Sequence, residues 1–136
     1  MRYLSGLVLG QNGFFPGHVG IEDGVIAEIG RGKKGSAHAR GLIVPTFVNG
    51  HTHIADYIVP VDPTMTLEEL VAPPKGLKHR VLEQASPEDL MRGMLSMKRF
   101  MARRGVSHFL DFREGGYDGS EYLRRLDGEG AEPIIM

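Results

Sequence analysis

The segment SPEDLMRGMLSMKRFMARRG (Ser86 to Gly105) restricts the fold most, because it lies between two apolar runs, LIVPTFVN and VSHFLDF. Its own residues predict a helix. Ser86 caps it, Pro87 takes the first helical position, and Glu88 and Asp89 suit the positive end of the dipole. Arg103 and Arg104 suit the negative end, and Gly105 stops it. Leu90, Met94, Met97 and Met101 recur at helical spacing and form one apolar stripe. DGSEYLRRLDG then predicts a second, shorter helix, and EPIIM another strand. Strand-like runs at 43–49, 106–112 and 132–136 therefore alternate with helices, the pattern of an α/β fold with a parallel sheet.

Residues 1–42 read differently. LSGLVLGQNG predicts a strand and a turn, and HVGIEDGVIAEIG a hairpin about Asp23-Gly24. The polar, glycine-rich GRGKKGSAHARG (Gly30 to Gly41) predicts a loop, and LIVPTFVN a single strand covered on both faces. A small N-terminal β-domain over 1–42 and an α/β unit over 43–136 follow. Between Ile54 and Ala85 runs a long connection. Within it Thr66 and Glu69 predict a capping box, and Pro73-Pro74 ends the short helix that the box starts. Tyr57, Ile58 and Val59 in that connection are expected to pack beneath it, and Lys75, Lys78 and Arg80 to form a solvated face.

Charge and composition exclude several functions. A formal net charge of −1 gives no general attraction to nucleic acid or to an anionic membrane. No apolar run approaches the ~18 residues that suggest a membrane span. Without cysteine there is no disulfide, thiolate ligand or cysteine nucleophile, which fits a reducing compartment, and a cytoplasmic location without a leader is expected.

Chemistry concentrates in VPTFVNGHTHIAD (Val44 to Asp56). Residues i and i+2 of a strand share a face, so His51 and His53 project together while Thr52 faces away. Two convergent imidazoles at the C-terminal end of a strand in a parallel sheet make a candidate site for a divalent metal, Zn²⁺ first and Fe²⁺ as the alternative. His18 and His38 are expected to be exposed, His79 to lie on the surface of a basic helical stretch, and His108 to pack at the start of its strand. In VSHFLDFRE the alternation separates Phe109, Asp111 and Arg113 from His108, Leu110 and Phe112. The expectation is that Asp111 and Arg113 face the metal as candidate catalytic or substrate-orienting residues, with Leu110 and Phe112 beneath the methionine stripe.

GIEDGVIAEIG, ARGLIVPTFVNGHTH and SPEDLMRGMLSMKRFMARRGVSHFLDF, in that order, resemble the amidohydrolase superfamily of metal-dependent hydrolases, in its cytosine deaminase and chlorohydrolase-like branch. Pro45-Thr46 and His38-Ala39 depart from that superfamily's usual Pro-Gly and Asp-Ala. The resemblance implies a small β-sandwich-like domain followed by a (β/α)₈ barrel, of which this chain holds the first three strands. It also implies that His51 and His53 are first-strand metal ligands, and that further ligands lie beyond residue 136. Since a complete barrel takes about 250 residues, the chain is expected to be the N-terminal piece of a longer enzyme, inactive by itself. The activity so implied is hydrolysis of a C–N bond in a small-molecule substrate, with deamination of a heterocyclic amine leading; a homo-oligomer is possible. Two other readings stand beside it. A metallo-β-lactamase-type hydrolase would need H-x-H-x-D-H where this chain has HTHIAD, and a non-catalytic binding or assembly subunit would leave both histidines merely polar.

Overall fold

The computed structural model describes residues 1–126 and 128–135, which divide into two compact units, Met1–Pro45 and Thr46–Met136. In the first, β1 (Arg2–Gly10), β2 (Gly13–Glu22), β3 (Val25–Arg31) and β4 (Ala39–Ile43) form one sheet in the order β3-β2-β1-β4. β1–β2 and β2–β3 are antiparallel, and β4 runs parallel to β1. Asp23 and Gly24 join β2 to β3 with φ of 50° and 79°, the paired positive values that a tight hairpin turn needs. The described residues of this unit make a single sheet where a β-sandwich-like domain was expected. β4 also begins inside the expected loop. The His38 amide donates to the Tyr3 carbonyl at 2.7 Å, which brings Ala39 into register with Leu4 and lets the chain continue as a strand.

His18 is buried in this unit, against the expectation of exposure. Its Nδ1 lies 2.9 Å from the Gly32 carbonyl oxygen and its Nε2 2.8 Å from Glu28 Oε1. Both partners can only accept, so both ring nitrogens carry protons and the ring is an imidazolium. The Gly32 carbonyl, and after it the Glu28 carboxylate, raises the His18 pKa above its ordinary 6.5. Glu28, bonded first by His18 and then by the Tyr3 hydroxyl, is lowered from 4.5 to about 2. His38 is exposed, with its Nε2 accepting from Arg2 at 3.0 Å.

The second unit contains β5 (Phe47–Thr52), a 3-10 turn (Ile54–Ile58), α1 (Leu67–Val71), α2 (Leu77–Gln84), α3 (Pro87–Ala102), β6 (Val106–Asp111), α4 (Gly116–Arg124) and β7 (Glu132–Ile135). The strands form a parallel sheet in the order β5-β6-β7. The single strand expected over 43–49 is two strands in two sheets. Pro45 explains the break, since its ring fixes φ and removes the amide a continuous ladder would use. The last residue of the expected run 132–136 lies outside the described residues.

α3 starts where its caps place it, with the Ser86 hydroxyl accepting from the Asp89 amide at 3.1 Å. It ends before Gly105, whose φ of 80° suits glycine. Met94 and Met101 from the stripe are buried with Ile54, Ala55, Phe109, Leu123, Leu126 and Ala131, while Leu90 and Met97 pack at the edge of this core. Each fully buried large side chain here contributes roughly 1.5–3 kcal/mol relative to exposure. Lys98 is buried too, its ammonium reaching the Leu126 carbonyl at 3.4 Å. One face of the sheet is thus covered by α3 and α4. The other face carries Val48, His108, Phe112 and Ile134, all exposed. No helix among the described residues is long and apolar enough to cross a membrane.

Candidate metal centre

β5 ends at Thr52, and His53 begins the 3-10 turn, so both histidines stand at the strand's C-terminal end. Their Nε2 atoms are 3.3 Å apart. An ion about 2.0–2.1 Å from each of two nitrogens at a tetrahedral angle holds them about 3.3–3.4 Å apart. The pair is therefore spaced as two ligands of one small cation would be, a separation that a hydrogen bond between the two rings also gives. Among the described residues no third histidine, cysteine or acid completes a metal-binding group with them.

Thr52 points the other way and is buried. Its hydroxyl lies 2.8 Å from the Leu110 carbonyl oxygen and 2.9 Å from Asp111 Oδ1. Asp111, fully buried, also accepts from the Ile54 amide at 2.8 Å, and its Oδ2 lies 3.5 Å from Arg113. The expected facing of β6 is therefore inverted. Asp111 pairs in register with Thr52, on the face opposite the histidines, and Phe109 enters the core with Met94 and Met101. Phe112 is the residue on the histidine side, stacked on His51 with ring centroids 4.4 Å apart. The cause is electrostatic. An amide, a hydroxyl and a guanidinium together offset the cost of burying the carboxylate, so Asp111 can occupy the covered face.

A second polar group stands beside His53. Glu114 Oε1 lies 3.2 Å from His53 Nδ1 and 2.6 Å from the Lys78 ammonium, and Glu114 Oε2 lies 3.3 Å from Arg113. Lys78 also reaches Asp56 Oδ2 at 2.8 Å, so it is a mostly buried ammonium between two carboxylates and not part of a solvated face. Burial pushes the Glu114 carboxyl up, but its bond to Lys78 and a backbone hydrogen bond together make the net direction down. Burial likewise pushes Lys78 down, and its bonds to Asp56 and Glu114 raise it overall. Gly119 lets α4 begin close under this loop, because a Cβ there would sit 2.0 Å from the Glu114 carbonyl oxygen.

The remaining histidines stay apart from the centre. His79 is half-buried, its Nε2 3.1 Å from the Val71 carbonyl oxygen, and His108 is exposed beside the Ser107 hydroxyl rather than packed. Beside the two histidines lies a cavity of about 290 Å³ lined by Asn49, His51, Thr52, His53, Ile54, Tyr57 and Met97. A more enclosed one of about 410 Å³ lies behind, where Arg113, Glu114, Asp118 and Tyr122 meet α2 and α3. Of the flanking apolar residues, Tyr57 is exposed, while Ile58 packs so closely on α3 that a Cβ at Gly93 would sit 2.4 Å from it.

No family model matches the chain. Proteins named "Putative aminohydrolase" do. That of Methanothermobacter thermautotrophicus is 38% identical, over 85% of this chain and 34% of its own length. That of Archaeoglobus fulgidus is 36% identical, over 94% of this chain and 37% of its own length. Among solved structures, molinate hydrolase superposes with a TM-score of 0.64 at 19% identity, covering 98% of this chain and 29% of that one. An amidohydrolase from Brucella melitensis gives 0.61 at 16% identity, over 93% and 31%. In sequence the likeness is to proteins named putative aminohydrolases, and in fold it is to amidohydrolases. This chain spans about a third of the length of the curated relatives it matches. The amidohydrolase likeness runs through both units, since these matches cover nearly all of the 136 residues.

Proposed function

We propose that the complete protein is a metal-dependent amidohydrolase that cleaves a C–N bond, with deamination of a heterocyclic amine as the leading reaction. The observation that carries the metal is the 3.3 Å approach of His51 Nε2 and His53 Nε2 at the end of β5, and the C–N bond rests on the likeness to proteins named putative aminohydrolases. Neutral imidazoles in this arrangement suit Zn²⁺, and Fe²⁺ is compatible with them. When bound, a divalent cation supplies Lewis acidity and makes water a competent nucleophile near neutral pH.

The chain's own residues set up the rest. Phe112 stacks on His51 and keeps that ring from rotating away from the shared point. It also offers an exposed aromatic edge beside the centre, suited to a flat, ring-containing substrate. Asp111 joins the ends of β5 and β6 by holding the Ile54 amide one residue after His53. Its role in this reading is to position the strand end, not to touch substrate.

The test is ammonia release by the complete protein over a panel of aminopurines, aminopyrimidines and pterins. Turnover of at least one member is expected. Silence on all of them, with turnover of an ester or phosphoester instead, would set aside the deaminase reading.

A further inference from the structure

We infer that Glu114 is a positioning residue for His53, and that Lys78 holds Glu114 in that place. This rests on the metal reading above and adds to it the group that orients the second ligand. His53 Nδ1 is buried and has no partner with hydrogen-bonding geometry; Glu114 Oε1, at 3.2 Å, is the one carboxylate within 4.0 Å among the described residues. A histidine that offers its Nε2 lone pair to a cation carries its proton on Nδ1, and that N–H needs an acceptor. Glu114 is the acceptor at hand.

Glu114 is itself fixed from two sides. Lys78 lies 2.6 Å from Oε1 and Arg113 3.3 Å from Oε2. Lys78 has only donors, so the carboxylate facing it is ionised and can only accept. The other partner of Lys78, Asp56, sits in the turn that begins at His53, and the Asp56 amide donates to the His53 carbonyl at 3.0 Å. The contacts therefore close a ring from His53 through Asp56, Lys78 and Glu114 back to the His53 imidazole. Such a ring fixes both the backbone and the side chain of one ligand, with Lys78 and Glu114 both distant from it in sequence.

The experiment measures Zn²⁺ affinity of the metal-stripped complete protein by competition with a chelating dye, and the visible spectrum of the Co²⁺ form. The variants are Glu114→Ala, Glu114→Gln, Lys78→Met and His53→Asn. Loss of a group that orients a ligand typically weakens metal binding about 10–100-fold, which is the expectation for Glu114→Ala. Glu114→Gln keeps an oxygen that can accept from Nδ1 and should lose less, while Lys78→Met should weaken binding in the same direction by freeing Glu114. The Co²⁺ bands should shift in Glu114→Ala, since the ligand's orientation changes. Wild-type affinity and an unshifted spectrum in both Glu114 variants would overturn the inference while leaving the metal reading intact. Equal losses in the two Glu114 variants would also overturn it, because they would mark a charge network and not an acceptor. If the wild type binds no better than His53→Asn, the metal reading fails and takes this inference with it.

Discussion

Asp111 shows how a single residue misleads a pattern. Both faces of VSHFLDFRE carry apolar residues, so its alternation separates two faces without saying which one is covered, and the polar end suggested that Asp111 faced the metal. The structure buries it behind the strand, where the Ile54 amide, the Thr52 hydroxyl and Arg113 satisfy it. Asp111→Ala should therefore cost about 3–5 kcal/mol in chemical denaturation, the usual loss when one partner of a buried pair is removed. A cost below about 0.5 kcal/mol, typical of a surface site, would contradict this placement. That the two histidine rings converge was legible, because residues i and i+2 at a strand end project together. Glu114 was not singled out, although it follows the C-terminal end of β6, where ligands of parallel sheets gather. Lys78 carried no signal, since nothing in its spacing points to Glu114.

His18 makes a pH-dependent prediction. Its raised pKa means that its stabilisation is full below 6.5 and is lost as pH rises through the higher folded value. Glu28, lowered from 4.5 to about 2, stabilises above 4.5 and loses this as pH falls toward about 2. The difference in unfolding free energy between wild type and His18→Gln should thus be largest between pH 4.5 and 6.5 and shrink on both sides. A difference that does not change from pH 5 to pH 9 would show that the imidazolium is not what holds the Gly32 carbonyl.

Among the elements, α3 was the most legible, because cap, proline, dipole charges, stripe and terminal glycine all agree. Local consistency of that kind makes a helix legible from its own residues. Ser86→Ala should cost about 1 kcal/mol, and Met94→Ala about 2–5 kcal/mol, since Met94 is 1% exposed in the core. Reversal of that order in denaturant titrations would mean the methionine stripe is not the packed face. The strand assignments fared less well where pairing depends on distant residues. β4 forms because Tyr3 and Leu4 offer it an edge, which the glycine-rich run before it conceals. The run 43–49 divides at Pro45, a residue that propensity alone does not promote to a boundary between sheets. Close approaches were invisible as well: nothing in DGSEYL shows that Gly119 must lie against the Glu114 carbonyl.

At the scale of the molecule, the second unit leaves one sheet face bare, and the two histidines stand at its C-terminal end beside Phe112. An apolar face next to convergent imidazoles is the arrangement expected of the inner side of a larger parallel sheet. That agrees with a chain spanning about a third of its curated relatives. The central claim is that His51 and His53 together hold one divalent cation in the complete protein. Elemental analysis of that protein, purified without added metal, against the double variant His51→Asn/His53→Asn tests it most directly. The account predicts about one equivalent of divalent metal per wild-type chain and background levels in the variant, with the far-ultraviolet circular dichroism of the two alike. Equal metal content in both proteins would contradict it.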